Sequence, residues 1–199
     1  MDEIVIRAMA KWPDVPNVYG WLRLDRRGNW LIKGDRIANA GVTGFIGRNY
    51  ASDDRGRWFF QNGPQRVFAT LEYTPFVVTT GAGPSTALET HTGQPIEKLS
   101  GAWIDEDGSL LLRWATGHGV LNDRELARVS LLFSDVHGGA LNDSLLARAL
   151  DPETRRQATG VYIQYAGMRV PVGRIRAGEV AQKFGFDPDP RPPTGEPEC

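Results

Sequence analysis

His91, His118 and His137 are the only imidazoles in this 199-residue chain, and Cys199 is its only cysteine. The histidine separations match no compact zinc motif. A single thiol can neither close an intramolecular disulfide nor build a thiolate metal site, so no metal site is expected. His118 lies in Thr116-Gly117-His118-Gly119. Glycines on both sides leave its ring uncrowded and let a ligand approach the backbone. Asp123 and Glu125 follow shortly, so a general base oriented by Asp123 is the catalytic candidate and would make a hydrolase-like enzyme. Against it stands the commoner role of such a histidine, a turn residue with no chemical partner. His137 precedes Gly138-Gly139 and reads as a loop residue.

Ser85, His91 and Asp105 supply the residue types of an acyl-transfer triad, but nothing around Ser85 resembles a nucleophile elbow. Gly81-Ala82-Gly83-Pro84-Ser85-Thr86 has the glycine spacing of a phosphate loop. It lacks the Lys-Ser/Thr ending, and Pro84 removes a backbone donor, so it reads as a linker. Asp105-Glu106-Asp107 clusters carboxylates at a hairpin tip, where acids stay solvated and bind calcium weakly at best. No cofactor fingerprint is present, and the residue inventory leans away from an enzyme.

Charge patterning says more than any single motif. Between Arg23 and Arg66 nine bases face four acids, whereas between Glu89 and Asp107 five acids face one base. The basic stretch also holds Trp21, Trp30 and Trp58. Arginine interleaved with exposed aromatics binds anions or single-stranded nucleic acid; the plainer reading puts tryptophan in the core and arginine on its rim. Trp30, Arg48, Arg66 and Tyr73 are the candidate ligand contacts. Opposite charges can also pair the two halves, or two protomers of a homo-oligomer. The net charge of −1 argues against a dedicated nucleic-acid binder. No apolar run is long enough for a membrane span. The start, Met1-Asp2-Glu3, lacks the basic flank of a signal peptide, so a cytoplasmic protein is expected.

The elements that must position these residues come in two similar sets. Tyr19 to Ile32 and Ser100 to Leu112 each read as strand, charged turn, strand, with Asp25-Arg26-Arg27-Gly28 and Asp105-Glu106-Asp107-Gly108 as turns. A helix is expected after each, over Asp35 to Ile46 and Asn122 to Phe133. A strand pair then closes each half, Arg57 to Glu72 and Gly160 to Ile175. Phe60-Gln61-Asn62-Gly63 aligns with Ile163-Gln164-Tyr165-Ala166, and Arg66-Val67 with Arg169-Val170. The fold class expected is α+β, two related antiparallel sheet-plus-helix units, and an ancestral duplication is the preferred explanation. The boundaries are a lead-in over 1–18, a first unit over 19–80, a connector or hairpin over 81–99 turning at Thr92-Gly93-Gln94, a second unit over 100–186, and a Pro-rich mobile tail over 187–199. Further helices are expected from Ser144 towards Arg156, interrupted by Pro152, and over Ala177 to Phe184. Phe76, next to Pro75, is expected to be buried at the junction of the halves.

The run Arg27-Gly28-Asn29-Trp30-Leu31-Ile32-Lys33-Gly34-Asp35-Arg36-Ile37 resembles the G-x-W-x-x-x-G-x-x-I opening of the repeat in an uncharacterised bacterial family, domain of unknown function 1285. Phe45 sits where that family has a helix phenylalanine. Arg66 to Val77 is similar to its K-V-x-I-x-V-E-D-x-P-F-V segment, with Arg66 in place of lysine and Tyr73 in place of an acid. The resemblance covers Leu22 to Val78 well and the C-terminal half in outline; a related unnamed family would fit equally. It implies an α+β protein of repeated units with a signalling or ligand-sensing role, and no established activity. Together these readings favour a non-catalytic module that binds a small molecule or a protein partner without a cofactor. The hydrolase using His118 and the Arg/Trp nucleic-acid binder are the alternatives.

Overall fold

The computed structural model describes residues 1–81, 86–151 and 158–193. Ser85, most of the glycine loop, Pro152 and Cys199 lie outside the described residues. The chain divides into two compact units: Met1–Pro75 together with the segment from Phe184 onward, and Phe76–Lys183.

The first unit holds α1 (Glu3–Lys11), β1 (Val18–Leu24), β2 (Trp30–Ile32), β3 (Asp35–Arg36), α2 (Ala40–Arg48), β4 (Tyr50–Ser52), β5 (Trp58–Asn62) and β6 (Gln65–Leu71). Its six-stranded sheet has the order β3-β2-β1-β6-β5-β4. β1 and β6 run parallel, and the other neighbours are antiparallel. Alternation along the strands puts Leu22, Leu24, Trp30, Phe60, Ala69 and Leu71 on one buried face. α2 adds Ile46 to this core, and its Phe45 meets Phe60 edge to face at 5.5 Å. Tyr19, Phe59 and Phe68 form a separate buried cluster, with Tyr19 and Phe68 stacked at 4.6 Å.

The second unit holds β7 (Phe76–Thr80), β8 (Leu88–Thr90), β9 (Pro95–Ile96), β10 (Gly101–Ile104), β11 (Leu110–Trp114), β12 (Gly117–Leu121), α3 (Leu126–Val129), β13 (Phe133–Ser134), α4 (Asp143–Leu150), β14 (Tyr162–Tyr165), β15 (Met168–Arg174) and α5 (Val180–Phe184), whose last residue belongs to the first unit. Its nine-stranded sheet has the order β13-β14-β15-β10-β11-β12-β7-β8-β9, with β10–β15 and β12–β7 parallel.

Both sheets are therefore mixed, not antiparallel. The connection through the helical segment returns the chain beside its first strand in the same direction, and only such a crossover permits a parallel pair. The six strands β12-β11-β10-β15-β14-β13 repeat the order and sense of β3-β2-β1-β6-β5-β4. The register repeats too. Leu24 pairs with Trp30 and Leu71, as Ile104 pairs with Leu110 and Arg174. Gln61 faces Arg66, as Gln164 faces Arg169. Tyr50 faces Phe60, as Phe133 faces Ile163.

Four turns share one build. Asp25, Asp53, Asp105 and Asp135 each bond their backbone N–H to the carbonyl four residues on, and each accepts an N–H from a glycine, Gly28, Gly56, Gly108 or Gly138. The carboxylate takes two further amides, 2.7 to 3.0 Å away. The four glycines have φ between 73° and 85°, a region costly for other residues. Asp53-Asp54-Arg55-Gly56 and Asp135-Val136-His137-Gly138 are turns that the hairpin signals alone did not reveal.

Several expectations need correction. The helix expected from Asp35 begins at Ala40, because Asp35 and Arg36 pair with Ile32 and Leu31 as β3. Asn39 caps it, accepting from Gly41 and Val42 N–H. The helix expected over Asn122 to Phe133 is broken into 3₁₀ turns at Asp123–Glu125 and Ser130–Leu132 around a single turn of α-helix. The lead-in contains a helix, α1, anchored by buried Val5 and by Asp2 N–H donating to Asn49 Oδ1 at 2.7 Å. The start of the tail makes main-chain bonds to the first unit. Asp187 N–H donates to Gly56 at 3.0 Å, Pro188 accepts from Leu71 N–H at 2.8 Å, and Pro190 is buried. An extended Pro-rich segment can thus be fixed by main-chain bonds without a large side chain. Phe76 is buried within the second unit, near His91 and Trp114.

Candidate functional site

The second unit encloses a cavity of about 690 Å³. Its floor is the sheet face carrying Ile104, Leu110 and Val172, which two-residue alternation and pairing put on one side. Val161 and Phe133 continue that face, since Ile163, two residues after Val161, pairs with both Phe133 and Val170. Leu126 and Leu131 form the opposite wall, with Ala149 of α4. Leu131 is 81% exposed and Leu126 45%, which puts the mouth on their side.

Polar groups at the wall are few and engaged. Ser130 Oγ donates to the Ala127 carbonyl at 2.8 Å, so its hydroxyl serves the helix. Asp107 and Gly108 reach the cavity from the β10–β11 turn. Asp107 is exposed and is the titratable residue among the described lining residues. Its size and apolarity are those of small-molecule pockets, and among the described lining residues the polar side chains are Ser130 and Asp107.

Apart from Asp107, the described residues singled out for chemistry lie elsewhere. His118 is half-buried in mid-strand, opposite Arg113 and outside the cavity wall. Burial, and then the charge of Arg113, lower its pKa to about 4. An orienting carboxylate would raise it instead. Asp123 sits in the exposed 3₁₀ turn after β12. His91 Nδ1 accepts the Val77 N–H at 3.2 Å, a bond that needs the unprotonated nitrogen and ties the β8 end to β7. His137 is exposed in the Asp135 turn. Asp105 is buried, its carboxylate taken by turn amides, while Glu106 accepts from Ala177 N–H at 2.9 Å. Among the described residues no group of three His, Cys, Asp or Glu side chains could hold a metal ion. No helix among them is long and apolar enough to cross a membrane.

The four proposed ligand contacts are engaged separately. Trp30 is buried and meets Tyr50 edge to face at 5.0 Å. Arg48 pairs with Asp2 at 3.2 Å. Arg66 lies over Phe59 at 4.6 Å, and Arg26 over Tyr73 at 4.1 Å. Sequence reasoning missed the cavity because aliphatic residues carry no chemical signature. A signal was nevertheless available, since the closing strands of the second half carry Val161 where the first half has Trp58.

Fold and cavity define an α+β protein of two similarly paired sheets, one of which leaves apolar space beneath its crossover. The chain belongs to the family described as "Protein of unknown function (DUF2946)", whose profile matches residues 1–191. A comparison with curated proteins finds no match. Two solved structures are similar. A DUF1285 family protein from Silicibacter pomeroyi DSS-3 is 14% identical with a TM-score of 0.51, over 86% of this chain and 94% of that one. A DUF1285 family protein from Shewanella baltica OS155 is 14% identical with a TM-score of 0.41, over 66% of this chain and 97% of that one. The first shares the fold, in keeping with the resemblance carried by Arg27 to Ile37 and Arg66 to Val77.

Proposed function

We propose that this protein is a non-catalytic small-molecule-binding module whose site is the cavity of the second unit. The observation that carries the reading is an apolar space of about 690 Å³, within the size range of ligand pockets, opening past two exposed leucines. A neutral solvatochromic dye titrated into the full chain tests it. Saturable fluorescence that Val172→Trp abolishes is the expected result. Equal binding to both proteins would overturn it.

We also infer that the halves arose by duplication. The support is the repeated strand order and the residue-by-residue agreement in register at Gln61–Arg66 and Gln164–Arg169. In this reading the second copy gained β7–β9 and the segment bearing α4.

A further inference from the structure

We propose that the cavity takes an uncharged, fused-ring aromatic molecule of about the size of an indole; this rests on the reading of the cavity as a binding site and names its ligand class. The argument compares two faces of identical pairing. Trp30 pairs with Leu24 at the hairpin end, as Leu110 pairs with Ile104. Tyr50 pairs with Phe60, as Phe133 pairs with Ile163. Trp58 lies two residues before Phe60, and Val161 two residues before Ile163, so each shares its partner's face. The positions of Trp30, Tyr50 and Trp58 in the first unit are therefore those of Leu110, Phe133 and Val161 in the second.

In the first unit these three side chains fill the space over the sheet. Tyr50 meets Trp30 at 5.0 Å and 76°, and Trp58 at 4.9 Å and 37°. In the second unit all three counterparts line the cavity. The space thus lies where the other sheet carries two indoles, and the central ring is kept as Phe133. A flat aromatic ligand would meet Phe133 as Trp30 and Trp58 meet Tyr50, in the offset or edge-to-face contacts that aromatic pairs prefer. The described lining residues include no Lys, Arg or His, and the carboxylate of Asp107 among them disfavours an anion.

The test titrates the full chain with indole, with indole-3-acetate and with n-decanol, following thermal midpoints and the methyl resonances of Leu110, Val161 and Val172. Indole should raise the midpoint saturably and move those methyls, with indole-3-acetate at least tenfold weaker. Val161→Trp and Leu110→Trp, which restore the first unit's residues, should each weaken indole at least tenfold without lowering the midpoint of the free protein. Should either variant fold poorly, the wild-type methyl shifts decide alone. Decanol moving the methyls while indole does not would overturn the aromatic class and leave the pocket standing. No movement with any of the three would overturn the pocket itself.

Discussion

Arg57 closes an ion pair with Asp53 at 2.7 Å across one turn, with the two side chains only 19% and 7% exposed. The guanidinium also lies 4.7 Å from the ring centre of Phe68, so the pair ties a turn to the aromatic cluster. Burial pushes the Asp53 carboxyl up, but bonds from the Arg57 side chain and from the Arg57 and Arg55 amides outweigh it and hold the pKa below its ordinary value. Asp53→Ala removes these acceptors and strands a partly buried cation, and should cost about 2–4 kcal/mol. Urea denaturation at neutral pH checks this. Because the folded pKa is depressed, the contribution is present above the unfolded value and is lost as pH falls through the folded one. The gap between wild type and mutant should therefore narrow in acid.

His118 adds a second loss of stability in acid, from a group that is buried neutral rather than charged. With its pKa lowered to about 4 from 6.5, the native state binds fewer protons than the unfolded chain between those values. Stability should be full above pH 6.5 and fall towards pH 4, by at most about 3 kcal/mol. His118→Gln should flatten that part of the profile, measured as urea midpoint against pH. An unchanged slope would mean another group supplies it.

Phe76 is 6% exposed, with its ring 5.7 Å from Trp114 and 6.0 Å from His91. Phe76→Ala should cost about 3–5 kcal/mol, enough to unfold a unit of ordinary stability. Gly119→Ala attacks the same place from the next strand, since a Cβ there would lie 2.5 Å from the Phe76 carbonyl oxygen. Chemical denaturation of both mutants should show losses in the second unit, seen by the fluorescence of Trp103 and Trp114.

The segment after Lys183 supplies buried Phe186, a main-chain bond to Leu71 of the first sheet and another to Gly56 in the Asp53 turn. The full chain should protect the Leu71 amide. A chain ending at residue 183 should lose protection of the Leu71 amide and lower the midpoint of the first unit. Hydrogen exchange followed by peptide mass analysis separates the two cases.

Strand positions and turn glycines were legible because alternation and Asp-Gly spacing act locally. Gln61, Arg66, Gln164 and Arg169 could be aligned from sequence because tight hairpins hold their register. Sheet sense was not legible, since the β1–β6 and β10–β15 pairings depend on where a crossover returns. The Asp35 helix start failed because β3 formation outweighed the apolar spacing of Ile37 and Ala38. Trp21 and Trp103 stand on the corresponding strands β1 and β10, two positions apart. The shared register sets Leu22 beside Ala102, which matches Trp103 to Arg23. The indole of Trp103 lies over Gly101 and Gly173, an arrangement the first unit does not repeat. The cavity stayed hidden because its lining is mostly aliphatic and comes from segments far apart in the chain.

The first unit is assembled from both sides of the second in the chain. A ribosome making this protein releases all six strands of the first sheet early, yet the Leu71 amide and the Gly56 carbonyl wait for partners at Pro188 and Asp187. The unit made first is therefore completed last. Until then the nascent chain presents an unfinished sheet while the whole second unit is synthesised, and its protection from aggregation in that interval falls to whatever the cell provides at the exit tunnel.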